Sequence, residues 1–251
     1  MQIRAIRSAD TLSRVVAAHA AAALTRVLAA QAVARHVAAT GSSQLTFLER
    51  LVATAGIDWS RVELFHLDEY IGLPQQHPGS FSHFIEERIV RPTGIAHAHL
   101  LDGSADPYRV IDLVGRELLR APVDVAFTGI GENGHLAFNE PPADFETDKP
   151  FELVALDEIS RRQQVGEGWF QTVDDVPTHA ITMTVRQILR AREIICLAYG
   201  ARKARAVAAC FSGPPTPDAP ASALALHANT TVYLDAEAAA LLPPGTVVVE
   251  D

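Results

Sequence analysis

The stretch 123–140, VDVAFTGIGENGHLAFNE, limits the fold of this chain more than any other. Val123, Val125, Ala126 and Phe127 make a short apolar run bounded by Pro122 and Gly129, the pattern of a strand buried on both faces. Strands of that kind belong to parallel sheets covered by helices, so the chain reads as an α/β protein. Gly129, Gly131 and Gly134 follow with a backbone able to approach a ligand closely, and Glu132, Asn133, His135, Asn139 and Glu140 gather around it. Loops after buried parallel strands are where α/β proteins keep ligands. The three glycines also match the spacing of a dinucleotide fingerprint. That fingerprint needs a helix directly after the third glycine, whereas Pro141 and Pro142 stop any helix within about two turns. A nicotinamide site is therefore not expected. A glycine-rich turn with a merely hydrogen-bonded histidine stays open beside the reading as an active-site loop.

Composition narrows the remaining classes. The chain has 251 residues, 48% hydrophobic and 20% charged, which suits one large folded domain over 1–251 and excludes disorder as its main state. A formal net charge of -9 argues against a nucleic-acid groove, while a small anion can still be held locally. Residues 1–39 are alanine-rich, but Arg14, His19, Arg26 and Arg35 interrupt every window long enough to span a bilayer. The first residues also lack the apolar core of a secretory signal, so a cytoplasmic protein without a membrane partner is expected. Cys196 and Cys210 fall in strand-like and helix-like runs and read as reduced, packed thiols.

Along the chain, residues 10–33 carry Leu12, Val15, Val16, Ala20, Leu24 and Val27 at helical spacing. A strand over 35–39 runs into Thr40, Gly41, Ser42, Ser43 and Gln44, and then into a helix containing Leu45, Phe47, Leu48, Leu51 and Val52. Strand, hydroxyl-rich turn and helix form an anion-site layout, with an ordinary serine cap as the plainer alternative. The strand over 62–67 ends in Asp68 and Glu69, two carboxylates of which burial would leave one with a raised pKa, suited to a general base. A helix over 80–90 is expected to cover this turn. His97 and His99 have no third ligand at a recognised spacing, so no metal is expected. Asp106 and Pro107 open a helix that leads to the strand at Val123. Residues 141–151 read as a loop, with a lid expected within 141–177. Strands resume at 152–156 and 180–185, and between them Ser160, Arg161, Arg162, Gln163 and Gln164 offer two cations and two amides to the site or to solvent. A buried strand over 193–199 precedes Lys203, which can reach an anion at the sheet edge, and 230–234 is a last strand.

These pieces resemble, in order over nearly the whole chain, the glucosamine-6-phosphate deaminase and 6-phosphogluconolactonase superfamily. The resemblance rests on ATGSSQ (39–44), LDEYIGL (67–73), GIGENGHLAFNEP (129–141), GARKARAV (200–207) and GPPTPDAPASALALH (213–227). GHLAFNEP with the preceding DEYIGL block is similar to the deaminase branch. The resemblance implies a Rossmann-like three-layer αβα sandwich with a mainly parallel sheet, chemistry without a metal or cofactor, and a hexosamine 6-phosphate as substrate. It implies that Asp68 moves a proton between C2 and C1, that His135 opens the sugar ring, and that Glu140 orients His135. Thr40, Gly41, Ser42, Ser43 and Lys203 resemble the phosphate pocket, with Glu69, Gly131, Gly134 and Arg162 as further binding candidates. Asn133 departs from the pattern, standing where the family commonly has an aspartate beside the histidine, and Glu140 is then the expected acidic partner. The arginine that the family places after the region of Leu156 does not align cleanly; Arg161 or Arg162 is its candidate replacement.

The expected reaction is conversion of glucosamine 6-phosphate and water to fructose 6-phosphate and ammonia. A lactone hydrolase and a non-catalytic sugar-phosphate-binding protein are the alternatives. A homo-oligomer is compatible with the sequence.

Overall fold

A computed structural model describes residues 1–250. Its strands are β1 (Gln2–Ile6), β2 (Ala34–Ala38), β3 (Val62–His66), β4 (Asp68–Tyr70), β5 (His97–His99), β6 (Val125–Thr128), β7 (Phe151–Ala155), β8 (His179–Met183), β9 (Glu193–Ala198), β10 (Thr230–Asp235) and β11 (Val248–Glu250). Eight of them form a parallel sheet in the order β11-β1-β10-β9-β6-β2-β3-β5. The central strands β2, β3, β6 and β9 are buried along their whole length, which is why they read as nearly unbroken apolar runs.

The longer helices are α1 (Ala9–Ala30), α2 (Leu45–Val52), α5 (Pro107–Leu119), α6 (Glu158–Gly166) and α8 (Ala204–Phe211). Helices cover both faces of the sheet, giving the three-layer αβα sandwich that the sequence implied. Ser8 caps α1 by accepting from the Thr11 N–H, and Asp106 caps α5 in the same way, with Pro107 in its first turn. By length and composition α1 could cross a membrane, yet half of its apolar window is buried in the protein, with Leu12, Val16, Ala20 and Leu24 fully covered.

One end of the sheet is pinned by buried charge. Arg35, in β2, donates to Glu63 and to the carbonyls of Glu117, Leu118 and Ala121 at the end of α5. Asp124 there accepts from the Arg35 N–H, Gln31 and Arg192. The opposite, C-terminal edge is left free for ligand chemistry. At that edge the strand order reverses: β2 is followed outward by β3 and β5, while β6 leads the other way to β9 and β10. A crevice between strands whose connections diverge is where an open parallel sheet accepts a ligand.

A second sheet, three-stranded and antiparallel in the order β4-β8-β7, stands over this edge. Only Leu67 separates β3 from β4, so the chain leaves one sheet and enters the other at once. Tyr70, Phe81, Phe138, Phe170 and Val176 form a small apolar cluster beneath it, separate from the main core. The helix expected over 80–90 is α3 (Phe81–Ile85), continued by a π-helical segment over Glu86–Val90 and then α4 (Arg91–Thr93). The strands β1, β5 and β11 were not foreseen; all three are short, and His97 and His99, read as isolated polar residues, lie on β5.

Candidate active site

Four adjacent strands deliver the site. The turns after β2, β3, β6 and β9 bring Thr40, Gly41 and Ser43, then Asp68, then Gly131 and His135, then Lys203 to one cleft. The cleft spans about 530 Å³ of empty space, a figure that includes the open solvent at its mouth.

Asp68 begins β4, opposite Thr182 of β8. It is 6% exposed, and its carboxyl group has no hydrogen-bond or ion-pair partner among the described residues. Burial, then the charge of Glu69, pushes its pKa well above the ordinary carboxylate range. Thr182 also accepts from the Phe138 N–H at 3.0 Å, so the base candidate and the aromatic wall of the cleft are set by the same strand.

His135 is fixed by short-range geometry. A Cβ on Gly131 would lie 2.3 Å from the imidazole ring, so glycine is required for the ring to sit where it does. Gly134 has φ +87°, a left-handed conformation, and a side chain there would meet Ala219 and Cys210; it shapes the turn and does not itself line the cleft. The imidazole Nδ1 shares a hydrogen bond with Ser160 Oγ at 2.9 Å and lies 3.6 Å from Glu140 Oε2. Nε2 has no hydrogen-bond partner among the described residues. Burial pushes the Glu140 carboxyl up, but hydrogen bonding and charge from His135, with donors from Ser160 and Asn133, outweigh it and hold Glu140 below its usual value.

Asn133 is not a wall of the cleft; it is the knot behind His135. Its Nδ2 donates to Glu140 Oε2 and to Asp157 Oδ2, both at 2.8 Å, and its Oδ1 accepts from the His135 N–H at 3.1 Å. A carboxylate at 133 could not donate to two carboxylates. Glu140 is the acid beside His135, as expected, and Asp157, which the sequence did not single out, is a second acid held by Asn133 and not by the imidazole.

Lys203 lies at the other end of the cleft. It is 9% exposed, and its ammonium has no hydrogen-bond or ion-pair partner among the described residues. Burial lowers its pKa, partly offset by the charges of Glu167 and Glu132. With Thr40, Gly41 and Ser43 lining the same cleft, this buried cation gives that end the chemistry to receive an anion.

Three further candidates lie outside the cleft. Glu69 is 1% exposed and its oxygens are consumed by the Tyr70, Phe81 and Ser82 N–H groups and the Ser80 hydroxyl; it anchors the start of α3 and does not reach the cleft. Arg162 points to solvent and pairs with Glu158, while Arg161 donates to the carbonyls of Val173 and Val176, so neither cation lines the cleft. The amides do: Gln163 and Gln164 line the cleft together with Glu167. Ser160, Gln163, Gln164 and Glu167 recur at the three-, four- and seven-residue spacing of one helical face, a polar stripe visible in the sequence that marks α6 as facing the site. At the far edge of the sheet, ligand atoms of Glu63, His99 and Glu117 lie within 4.8 Å of one another. Glu63 is already bonded to Arg35 and His99, so the guanidinium fills the role of a cation there.

Comparison with known proteins agrees with this geometry. Residues 7–233 match the family of glucosamine-6-phosphate isomerases/6-phosphogluconolactonases. The chain is 38% identical over 205 residues to a glucosamine-6-phosphate deaminase of Streptococcus pneumoniae (strain 70585), a match covering 81% of this chain and 85% of that one. The structure of a monomeric glucosamine-6-phosphate deaminase aligns with a TM-score of 0.87 at 29% identity, covering 96% of this chain and 100% of the other. A 6-phosphogluconolactonase from Shewanella baltica OS155 aligns with a TM-score of 0.77 at 18% identity, covering 94% and 98%, a likeness of fold alone.

Proposed function

The chain belongs to the family of glucosamine-6-phosphate isomerases and 6-phosphogluconolactonases, and on that premise we propose that it isomerises and deaminates glucosamine 6-phosphate, giving fructose 6-phosphate and ammonia. One observation carries the reading: an unpartnered buried carboxyl, Asp68, shares a cleft with a buried unpartnered ammonium, Lys203, and with His135. The cleft thus offers a base, a ring-opening group and an anion anchor to one small molecule.

The chemistry assigns each group a task. Lys203, Thr40, Gly41 and Ser43, with the Ser42 N–H, hold the 6-phosphate. His135 moves the proton that opens the ring, and Glu140 and Asn133 orient it. In the open chain the C2–H is adjacent to an aldehyde. Asp68 removes that proton, and its electron pair forms a C1–C2 double bond while the carbonyl pair moves to O1, which takes a proton from the C2 ammonium, leaving an enol with the amine on C2. Return of the proton to C1 leaves a C2 imine, and water hydrolyses it, releasing ammonia and leaving the C2 ketone. A weakly acidic C–H demands a base held in contact and shielded from water, which suits a buried carboxyl with a raised pKa.

The test is a panel of hexosamine phosphates and phosphogluconolactone, assayed in parallel for ammonia release and lactone hydrolysis. Ammonia from glucosamine 6-phosphate is expected, with turnover reduced on the order of a hundredfold or more in Asp68→Asn. Lactone hydrolysis without ammonia release would overturn the reading, and near-normal turnover in the variant would remove Asp68 from its role.

A further inference from the structure

We infer that Glu167 is an internal competitor for the substrate's phosphate: in the free protein its carboxylate holds the anion cradle, and a phosphate binds by displacing it. This rests on the reading of that cradle as the phosphate site.

The contacts of Glu167 are those an anionic ligand would make. Its Oε2 accepts from the Ser42 N–H at 3.1 Å and from Trp169 Nε1 at 3.3 Å, and its Oε1 accepts from Gln163 Nε2 at 2.7 Å. A Cβ on Gly41 would lie 3.8 Å from the same Oε2, so the carboxylate rests against the glycine of the turn after β2. Glu167 lines the cleft with Thr40, Gly41, Ser43 and Lys203. Burial pushes its pKa up, but Gln163, the Ser42 N–H, the charge of Lys203 and Trp169 outweigh that and hold it below the usual carboxylate value.

A phosphate oxygen at Ser42 N–H and Glu167 Oε2 cannot share one donor, and two anions in a partly buried cradle repel. The charge count points the same way. Lys203 and Arg202 face Glu167 and Glu132, so the cradle is close to neutral before any ligand arrives. Binding is therefore an exchange of one anion for another, and the affinity is lower than the donors alone would give. The exchange also has a mechanical side. Glu167 ends α6, whose Ser160 is bonded to His135 and whose capping Asp157 is bonded to Asn133. Displacing Glu167 unhooks from the turn after β2 the same helix that supports the ring-opening group.

Calorimetric titration of inorganic phosphate into the wild type, Glu167→Gln and Lys203→Ala separates this inference from the reading beneath it. Glu167→Gln is expected to bind phosphate about tenfold more tightly, the size of one charge-assisted hydrogen bond no longer in competition. Unchanged or weaker binding would overturn the inference, since a carboxylate that merely braces the turn would leave the cradle worse when removed. Wild-type phosphate affinity in Lys203→Ala would instead remove the cradle itself, whatever Glu167 does. A second measurement needs no change at 167. The chain has two tryptophans, and in Trp59→Phe only Trp169 remains, so phosphate should alter its emission along the calorimetric isotherm as the bond to Glu167 breaks. Saturable phosphate binding with no change in that emission would equally overturn the inference.

Discussion

Asp68 carries a conflict between stability and chemistry that can be measured at one atom. Its folded pKa is raised above the ordinary value of 3.8, so the native state binds this proton more tightly than the unfolded chain does. Stability from that preference is complete below the unfolded value and is lost as pH rises through the folded one. Asp68→Asn keeps the shape and removes the charge. Its melting temperature should match that of the wild type near pH 4 and exceed it increasingly toward pH 8, while activity collapses. A variant less stable than wild type at pH 8 would mean that the ionised carboxylate holds the fold together. The base candidate was legible because a strand ending in an acid is a local signal. Asn133 was legible only as a departure: the acid its amide also holds, Asp157, lies 24 residues further on, and that bond exists only once α6 has packed against the glycine loop.

At the scale of elements, Glu69 shows how two adjacent carboxylates come to do different work. It adjoins Asp68 in sequence, but both lie on β4, where successive side chains point to opposite faces. Strand alternation therefore sends one carboxylate to the cleft and the other to the start of α3. Glu69→Gln should cost about 1.5–3 kcal/mol in urea unfolding, the range of a charged hydrogen bond, with the KM for the sugar phosphate unchanged. A raised KM at unaltered stability would return Glu69 to the binding site. The same reasoning sorts α6. The sequence offered two cations and two amides without choosing between them, and the 3.6-residue period gives the cleft to Gln163 and Gln164 and solvent to Arg162. Helices with good caps, such as α5 behind Asp106, were readable from their ends; β1, β5 and β11 were not, and QIRAI in β1 and HAH in β5 are broken by polar residues and lack the apolar run that marked β6 and β9.

Over the whole molecule, the site exists because four turns meet at the edge where strand order reverses, and that adjacency depends on pairings between residues far apart in sequence. Each turn was visible alone; their meeting was not. Since the cleft belongs to the folded state only, a ligand stabilises the whole chain by mass action. Phosphate at a hundredfold excess over its Kd should stabilise the wild type by about 2.7 kcal/mol, and the gain should vanish in Lys203→Ala. An equal gain in both proteins would mean that phosphate binds elsewhere. The same sheet order governs how the molecule is made. β1, near the start of the chain, lies between β10 and β11, paired in register from Gln2↔Thr231 to Ile6↔Asp235 on one side and from Arg4↔Val248 to Ile6↔Glu250 on the other. On the ribosome β1 emerges long before β10 and β11, so it has no sheet neighbours until those strands are made. The pairings among β2, β3 and β6 need no later strand, whereas closing both sides of β1 is a non-local step that waits for β10 and β11 and leaves a sheet edge open to chaperones or to other chains until then.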